Sequence, residues 1–372
     1  MKILVTGGAG FIGSHTCDRL LSLGHDVIVL DALTQPVHRD GRKPSYLGAD
    51  IDFYQGDVRN RELLANLLRR VDAVYHFAAY QDYLTDFARF SEVNVVSTAL
   101  IYEIIVAERL DIARVVVASS QSAAGEGLYR CPSDGDQFPG MRPEKALAAA
   151  KWEVPCPQCA GHMEMLATPE HLSNPQNAYG MSKLGEEMVA INLGRRYDIP
   201  TAALRYSIVQ GPRQSVYNAY SGACRIFCLS YKRGIAPTVY EDGRSVRDYV
   251  DVNDAVDANV LVLTNDGAVG QVFNVGGGTP VMTKEFADMV MRQYGSALEA
   301  RVTGEYRFGD TRHILSDISK LRKLGWEPRR TRADSVRAYA EWLDGVGGLD
   351  GVLDQANAQM RALGVVRKAG RG

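Results

Sequence analysis

The sequence predicts an α/β protein built on a doubly wound parallel sheet, with a smaller C-terminal α/β substrate domain. Three observations carry this. Short, continuously apolar runs recur: Ile3-Leu4-Val5, Val27-Ile28-Val29-Leu30, Ala73-Val74-Tyr75 and Val115-Val116-Val117. Helical patterns separate them, and strands apolar on both faces belong to a parallel sheet covered on two sides. A glycine-rich turn follows the first run, at a strand C-terminus, where ligands of such sheets sit.

Taken in order, the first strand leads into Thr6-Gly7-Gly8-Ala9-Gly10-Phe11-Ile12-Gly13, and a helical pattern continues to about Leu23. Gly8, Gly10 and Gly13 fit G-x-G-x-x-G, while Gly7, Gly10 and Gly13 fit G-x-x-G-x-x-G. In either case glycines permit a tight turn, and their missing side chains let the backbone approach a pyrophosphate at the helix N-terminus. The second strand ends in Asp31. An acid about 20 residues beyond such a loop can bond the adenosine ribose hydroxyls. No Arg or Lys immediately follows Asp31, so a 2′-phosphate lacks an obvious partner and NAD is expected over NADP.

Ile51-Asp52-Phe53-Tyr54 reads as a third strand, followed by Gly56-Asp57-Val58, whose acid could face the adenine. The strand from Ala73 to Phe77 ends in Ala78-Ala79, small enough for close approach to a cofactor. Phe87 to Leu110 reads mostly as one long helix with Asn94 inside it. Arg114 to Ala118 is the next buried strand, and Ser119-Ser120-Gln121-Ser122 leaves its end.

Length and composition bound the rest. The chain has 372 residues, 46% of them hydrophobic, enough for one large core or two modest ones. A net charge of −2 gives no support for nucleic-acid binding. No run of about 18 apolar residues suggests a membrane span. Met1 leads almost directly into a strand, so a cytoplasmic protein without a signal peptide is expected.

Further along stands Asn177-Ala178-Tyr179-Gly180-Met181-Ser182-Lys183, and Leu184 to Arg196 reads as a helix. Tyr179 and Lys183 are four apart and share one helical face. An ammonium one turn from a phenol favours the phenolate and moves it toward catalytic range.

Together these pieces resemble the extended short-chain dehydrogenases/reductases of the nucleotide-sugar epimerase/dehydratase family. The matching residues are Thr6–Gly13, Gly56-Asp57, Ala78-Ala79, Ser119-Ser120 and Tyr179-x-x-x-Lys183. They continue with Leu204-Arg205-Tyr206, Gly211-Pro212, Arg247-Asp248-Tyr249, Phe273-Asn274-Val275-Gly276, Arg307-Phe308-Gly309-Asp310 and Leu324-Gly325-Trp326-Glu327-Pro328. The resemblance spans about residues 1–345. It implies a Rossmann-type NAD-binding domain over 1–206, to which 241–276 returns, a substrate domain mainly over 207–345, and a last helix with a frayed tail over 346–372. It implies that Tyr179 is the catalytic base, that Lys183 holds the nicotinamide ribose, and that Ser120 bonds the reacting hydroxyl. Cofactor contacts are expected from Gly7, Gly10, Phe11, Ile12, Gly13, Asp31, Asp57, Val58, Phe77, Ala78, Ala79, Asn94 and Tyr206. A nucleotide-diphosphate sugar is expected against Ser122, Asn218, Arg247, Arg307 and Asp310, the arginines gripping phosphate oxygens in a bidentate fork. The resemblance also implies a homodimer, with helices near 88–109 and 178–195 forming a four-helix bundle.

Residues 126–173 interrupt the sheet pattern and exceed an ordinary connection. They contain Cys131-Pro132-Ser133-Asp134 and Cys156-Pro157-Gln158-Cys159. Cys131, Cys156, Cys159 and either Asp134 or His162 would complete a tetrahedral structural zinc site. The insertion resembles one in a branch of the family containing deoxyhexose 4-epimerases, which Asn218-Ala219-Tyr220-Ser221-Gly222 and Tyr240-Glu241-Asp242-Gly243 also fit.

Three departures from the family pattern lie beside the sugar site. Ile208 stands where an Asn usually contacts the diphosphate side, and Ala123-Ala124 replaces an aromatic wall. Gln121 and Ser122 stand where dehydratases carry Asp-Glu, and Ser122 where decarboxylases carry Glu. The expected activity is therefore NAD-dependent epimerisation at C4 through a transient 4-keto sugar with retained NAD. A nucleotide-sugar dehydrogenase or 4-ketoreductase is the enzymatic alternative, and a dinucleotide-sensing scaffold the non-enzymatic one.

Overall fold

The structure is a computed structural model that describes residues 1–82, 84–218 and 222–370. Ala219, Tyr220 and Ser221 of the branch motif lie outside the described residues. The first half alternates as expected. Strands β1 (Lys2–Thr6), β2 (Asp26–Asp31), β3 (Asp52–Gln55), β4 (Ala73–His76) and β5 (Arg114–Ser120) are separated by α1 (Phe11–Ser22) and α2 (Arg61–Leu68). Between β4 and β5 run α3 (Phe87–Phe90), a π-helical turn (Ser91–Val96) and α4 (Ser97–Glu108). By length and mean hydropathy alone this 22-residue stretch could cross a bilayer, although Arg89, Glu92, Asn94 and Glu103 interrupt any continuous apolar run. Yet Ile101, Tyr102, Ile104 and Ile105 are buried in the core, so its inner face is that of a sheet-covering helix.

The insertion follows β5 and a 3-10 turn (Gln121–Ala124). It holds β6 (Tyr129–Cys131), β7 (Gly135–Gln137), α5 (Glu144–Ala148) and β8 (Glu164–Met165), with both strand pairs antiparallel. Its apolar cluster contains only Tyr129, Cys131, Val154, Cys156 and Met163, with Met165 packed against them. The chain then resumes with α6 (Ala178–Arg196), started by Asn177, whose side chain accepts from the Gly180 amide at 2.8 Å. Next come β9 (Thr201–Tyr206), β10 (Ile208–Gln210), α7 (Ala223–Lys232), β11 (Thr238–Val239), β12 (Val246–Asp251), α8 (Val252–Thr264) and β13 (Gln271–Val275).

Seven parallel strands form the main sheet in the order β13-β9-β5-β4-β1-β2-β3. The order reverses between β1 and β4, which opens a crevice at their C-terminal ends. Apolar side chains fill both faces: Val5, Val29, Val116 and Leu204 on one side, Leu4, Ile28, Val117 and Ala203 on the other. Each valine, leucine or isoleucine among them contributes about 1.5–3 kcal/mol by leaving water.

The return to the first domain differs from expectation. α8 and β13 join the main sheet, but β12 pairs with β10 and with β14 (Pro280–Met282) in a separate three-stranded sheet. The second domain also contains α9 (Thr283–Gln293), β15 (Arg301–Val302), β16 (Glu305–Arg307), α11 (Arg332–Asp344) and α12 (Val352–Ala362), whereas Leu321 of α10 (Ser319–Arg322) packs into the core of the main sheet. Its core gathers Phe227, Tyr249, Phe286, Val336 and Leu343. As far as Gly370 the described tail is seated rather than frayed after its helix. β17 (Val366–Lys368) pairs antiparallel with β16, Arg367 ion-pairs with Glu144 of the insertion, and its guanidinium covers the Phe308 ring. A three-residue antiparallel pairing and one partly exposed arginine hold it down, a local pattern too short to stand out in the sequence.

Candidate active site

A single cleft of about 650 Å³ runs from the glycine turn, past the end of β5 and the start of α6, into the second domain. Its first end is set by backbone. Gly7 adopts φ +69°, and a Cβ there would lie 2.6 Å from the Ala78 amide nitrogen; one at Gly13 would lie 2.3 Å from the Gly7 carbonyl. Only glycine lets the turn fold against β4 and start α1 so closely. Gly10 caps α1 without a side-chain acceptor, so first-turn amides remain for a ligand. Gly7, Gly10, Phe11, Ile12, Gly13, Phe77 and Ala79 line this end. The residues present thus fit a dinucleotide.

Asp31, Asp57, Val58, Ala78 and Asn94 do not line the cleft in the way the sequence suggested. Asp31 accepts from the Ala9 amide at 3.0 Å and the Leu33 amide at 2.9 Å, so it braces the turn. A carboxylate oxygen has further lone pairs for a ribose hydroxyl. Asp57 faces Arg59 at 2.7 Å instead of standing open. Val58 is buried in the opposite-face core, and Ala78 receives the close approach of Gly7 while its amide donates to Thr6 Oγ1 at 3.3 Å. Asn94, fully buried in the π-turn, exchanges hydrogen bonds with both backbone groups of Tyr80 and donates to Ser182 Oγ at 2.8 Å. It ties the Ala79-Tyr80 edge of the cleft to α6.

Ser120, Tyr179 and Lys183 meet at the centre. The Ser120 hydroxyl bonds the Tyr179 phenol and also accepts from the Ser122 amide at 3.1 Å. Lys183 Nζ donates to the Ala118 carbonyl at 2.6 Å and to Glu186 Oε2 at 2.6 Å. Sequence spacing led to the expectation of a lowered phenol pKa. The structure corrects this: burial raises Tyr179, and the Lys183 ammonium and the Ser120 hydrogen bond only partly counter it. Glu186 was missed, although Tyr179, Lys183 and Glu186 follow one another at helical spacing. Tyr206 forms a wall here, its hydroxyl turned away to Asn259 Oδ1 at 2.5 Å.

The far end is lined by Ser122, Asn218, Arg247, Arg307 and Asp310, with Ile208, Tyr240 and Glu241 among them. Arg307 pairs with Asp310 at 2.8 Å and lies over the Tyr240 ring. Arg247 donates to the carbonyls of Val246, Thr311 and Arg312. It therefore holds the 311–312 backbone as well as facing the cleft.

Behind this wall sits a charge network that sequence reasoning also missed. Arg142 of the insertion grips both oxygens of Glu241, at 3.1 and 2.8 Å, and the Asp310 carbonyl at 2.9 Å. Fully buried Arg312 reaches Glu241, Asp242 and Glu153. Glu126 accepts from the Arg312 and His313 amides. Burial pushes its carboxyl up to about 7, whereas hydrogen bonding by His313 draws Glu153 down to about 2. The partners are spread over 187 residues of sequence, which is why no local spacing announces them. At the insertion's outer end, one ligand atom from each of Cys131, Asp134, Cys156 and Cys159 lies within 4.8 Å of the others. His162 is not in that group.

Comparison with known proteins fits this geometry. The model of the NAD dependent epimerase/dehydratase family matches residues 3–154 and 157–276. A dTDP-L-rhamnose 4-epimerase from Burkholderia thailandensis is 31% identical, over 92% of this chain and 94% of its own. A putative UDP-glucose 4-epimerase from Methanocaldococcus jannaschii is 30% identical, over 92% and 98%. Among solved structures, the UDP-glucose 4-epimerase of Thermotoga maritima with UDP-glucose superposes with a TM-score of 0.76 at 27% identity, covering 92% of this chain and 99% of that one. The Thermus thermophilus UDP-glucose 4-epimerase in complex with NAD gives 0.72 at 26%, covering 93% and 100%.

Proposed function

The chain belongs to the NAD-dependent epimerase/dehydratase family, and we propose that it is an NAD-dependent nucleotide-sugar epimerase acting at C4. The observation that carries this is the convergence of Ser120, Tyr179 and Lys183 midway along one cleft, between a dinucleotide turn and an arginine-bearing wall. NAD, when bound, supplies the hydride acceptor for C4 oxidation and the donor for its reversal. The glycine turn and the amides opening α1 would hold its pyrophosphate, and Asp31 its adenosine ribose. Tyr179 takes the proton of the C4 hydroxyl and later returns it, while Ser120 holds that oxygen in line with the phenol. Lys183 lends positive charge to the Tyr179 phenolate that takes this proton. Arg307, held by Asp310, and Arg247 meet the diphosphate.

The test is product analysis by nuclear magnetic resonance with dTDP-L-rhamnose, UDP-glucose and related nucleotide sugars deuterated at C4. The label is expected to return to C4 of the inverted product. Loss of the label to solvent, or stoichiometric release of NADH, would defeat the mechanism.

Two further features complete the reading. Cys131, Asp134, Cys156 and Cys159 are a donor set suited to one structural zinc. Their sulfurs already approach one another at 3.5 Å for Cys131 and Cys159, near the roughly 3.8 Å expected of two thiolates around a tetrahedral zinc. Elemental analysis should find one zinc per chain. Exposed Val96 and Val106 on the π-turn and α4, with Met181 and Met188 on α6, support a two-fold helical interface between chains. Light scattering at micromolar concentration should report a dimer.

A further inference from the structure

Beneath the reacting centre lies a carboxylate that the mechanism above does not use. Glu186 stands three residues after Lys183 on α6 and has no exposed surface. One of its oxygens accepts from Lys183 Nζ at 2.6 Å, and the other is buried without a hydrogen-bond partner among the described residues. With the Ala118 carbonyl on its other side, the ammonium is gripped from two directions. The titratable groups around Glu186 are Lys183, Tyr179 and Glu187 on α6, Tyr102 on α4, and Tyr206 on β9. His76 of β4 lies beyond Lys183. Arg205 of β9 is committed to both oxygens of Glu187, whose acceptor also takes the Ser119 hydroxyl. Lys183 is thus the cation bonded to Glu186.

We infer that Glu186 is a positioning residue for the reaction: its carboxylate anchors Lys183 and offsets part of the ammonium's pull on the Tyr179 proton. The inference rests on the epimerase reading, which supplies the reason for such a balance. One phenol must accept a proton and give it back within a single turnover. A base too weak would not take the proton, and a conjugate acid too weak would not return it. Lys183 alone favours the phenolate; a buried counter-charge at one helical turn pulls the other way. The titration behaviour agrees in sign, since Glu186 raises Tyr179 while Lys183 lowers it; burial lifts Glu186 itself to about 7, so its counter-charge is fully present above that pH, where the phenol titrates.

Glu186→Gln keeps the shape and a hydrogen-bonding oxygen but removes the charge. In NAD-loaded protein carrying 13Cζ-tyrosine, with Tyr179→Phe assigning the resonance, the Tyr179 titration should move about one pH unit lower. The acid limb of kcat with dTDP-L-rhamnose should move the same way, and NAD affinity should stay within about threefold, as expected when no contact to the cofactor is lost. Glu186→Asp, which draws the carboxylate back from Lys183, should give a smaller shift in the same direction. If Glu186→Gln does not fold, Glu186→Asp carries the test. An unmoved Tyr179 titration in a folded variant overturns the inference. A wild-type protein that turns over no nucleotide sugar would refute the epimerase reading, while the substrate-free titration would still judge Glu186.

Discussion

The main sheet and the insertion at 126–173 are organised by opposite means. The sheet buries continuous apolar strands between two layers of helices, and its polar groups are confined to strand ends. The insertion has five buried residues in its apolar cluster, is otherwise held by charge, and carries the Cys131, Asp134, Cys156 and Cys159 cluster. Arg142 and Glu153 tie it to the second domain, and Arg367 ties the tail to it. A segment with so little to bury cannot offset its ordering entropy by the hydrophobic effect alone. The difference teaches where to look for each kind of sensitivity: the sheet to loss of volume, the insertion to pH and to chelation.

Four measurements would break or sharpen this contrast. The largest effect belongs to chemistry on the sheet edge. Tyr179→Phe should lower kcat by ~10²–10⁴ while leaving NAD binding and melting temperature nearly unchanged. A loss as large from an exposed insertion residue, such as Arg130→Ala, would erase the distinction. Next is volume. Leu204→Ala, in the fully buried centre of β9, should cost about 2–5 kcal/mol in denaturant unfolding.

Third is metal. Chelation, or Cys156→Ser, should speed hydrogen exchange across 129–165 and leave exchange in β1, β4 and β5 unchanged. Uniform acceleration through the sheet would show that the insertion is not a separate unit.

Fourth is pH. Glu126 has a folded pKa of about 7, above its ordinary value of 4.5. Its protonated form is favoured by folding, so its contribution is fully present below about 4.5 and is lost as pH rises through about 7. Glu153, at about 2, behaves oppositely: its contribution is present above 4.5 and disappears as pH falls through about 2. After correction for base-catalysed intrinsic exchange, insertion protection should therefore fall between about pH 4.5 and 7, and Glu126→Gln should flatten the slope.

Most of the fold was legible because its causes are local. Apolar runs, a glycine turn and helical spacing each speak within a few residues, and they located β1 to β5, α1 and α6. Ser120, Tyr179, Lys183, Arg247 and Arg307 do share a cleft. What escaped were features made by distant partners. The pairing of β12 with β10 and β14, the seating of β17 on β16, and the Glu126–Arg142–Glu241–Arg312 network each join segments far apart in the chain. The Tyr179 expectation failed for a related reason. Spacing reveals the neighbouring ammonium, but burial of the phenol is a property of the whole assembly.

The π-turn at Ser91–Val96 carries a consequence for how the chain tolerates a change of length. A π-turn holds one residue more than the α-helix that would replace it, and each helical residue advances the phase by about 100°. Removing one residue from this turn would rotate α3 and everything before it by that angle relative to α4. Asn94 would then swing out of reach of Tyr80, or Tyr80 would leave the cleft with it. The turn therefore fixes the phase of the helix: loss of one residue here would cost both bonds at Tyr80, so a single-residue deletion is expected to be tolerated less well here than in the insertion one strand further on.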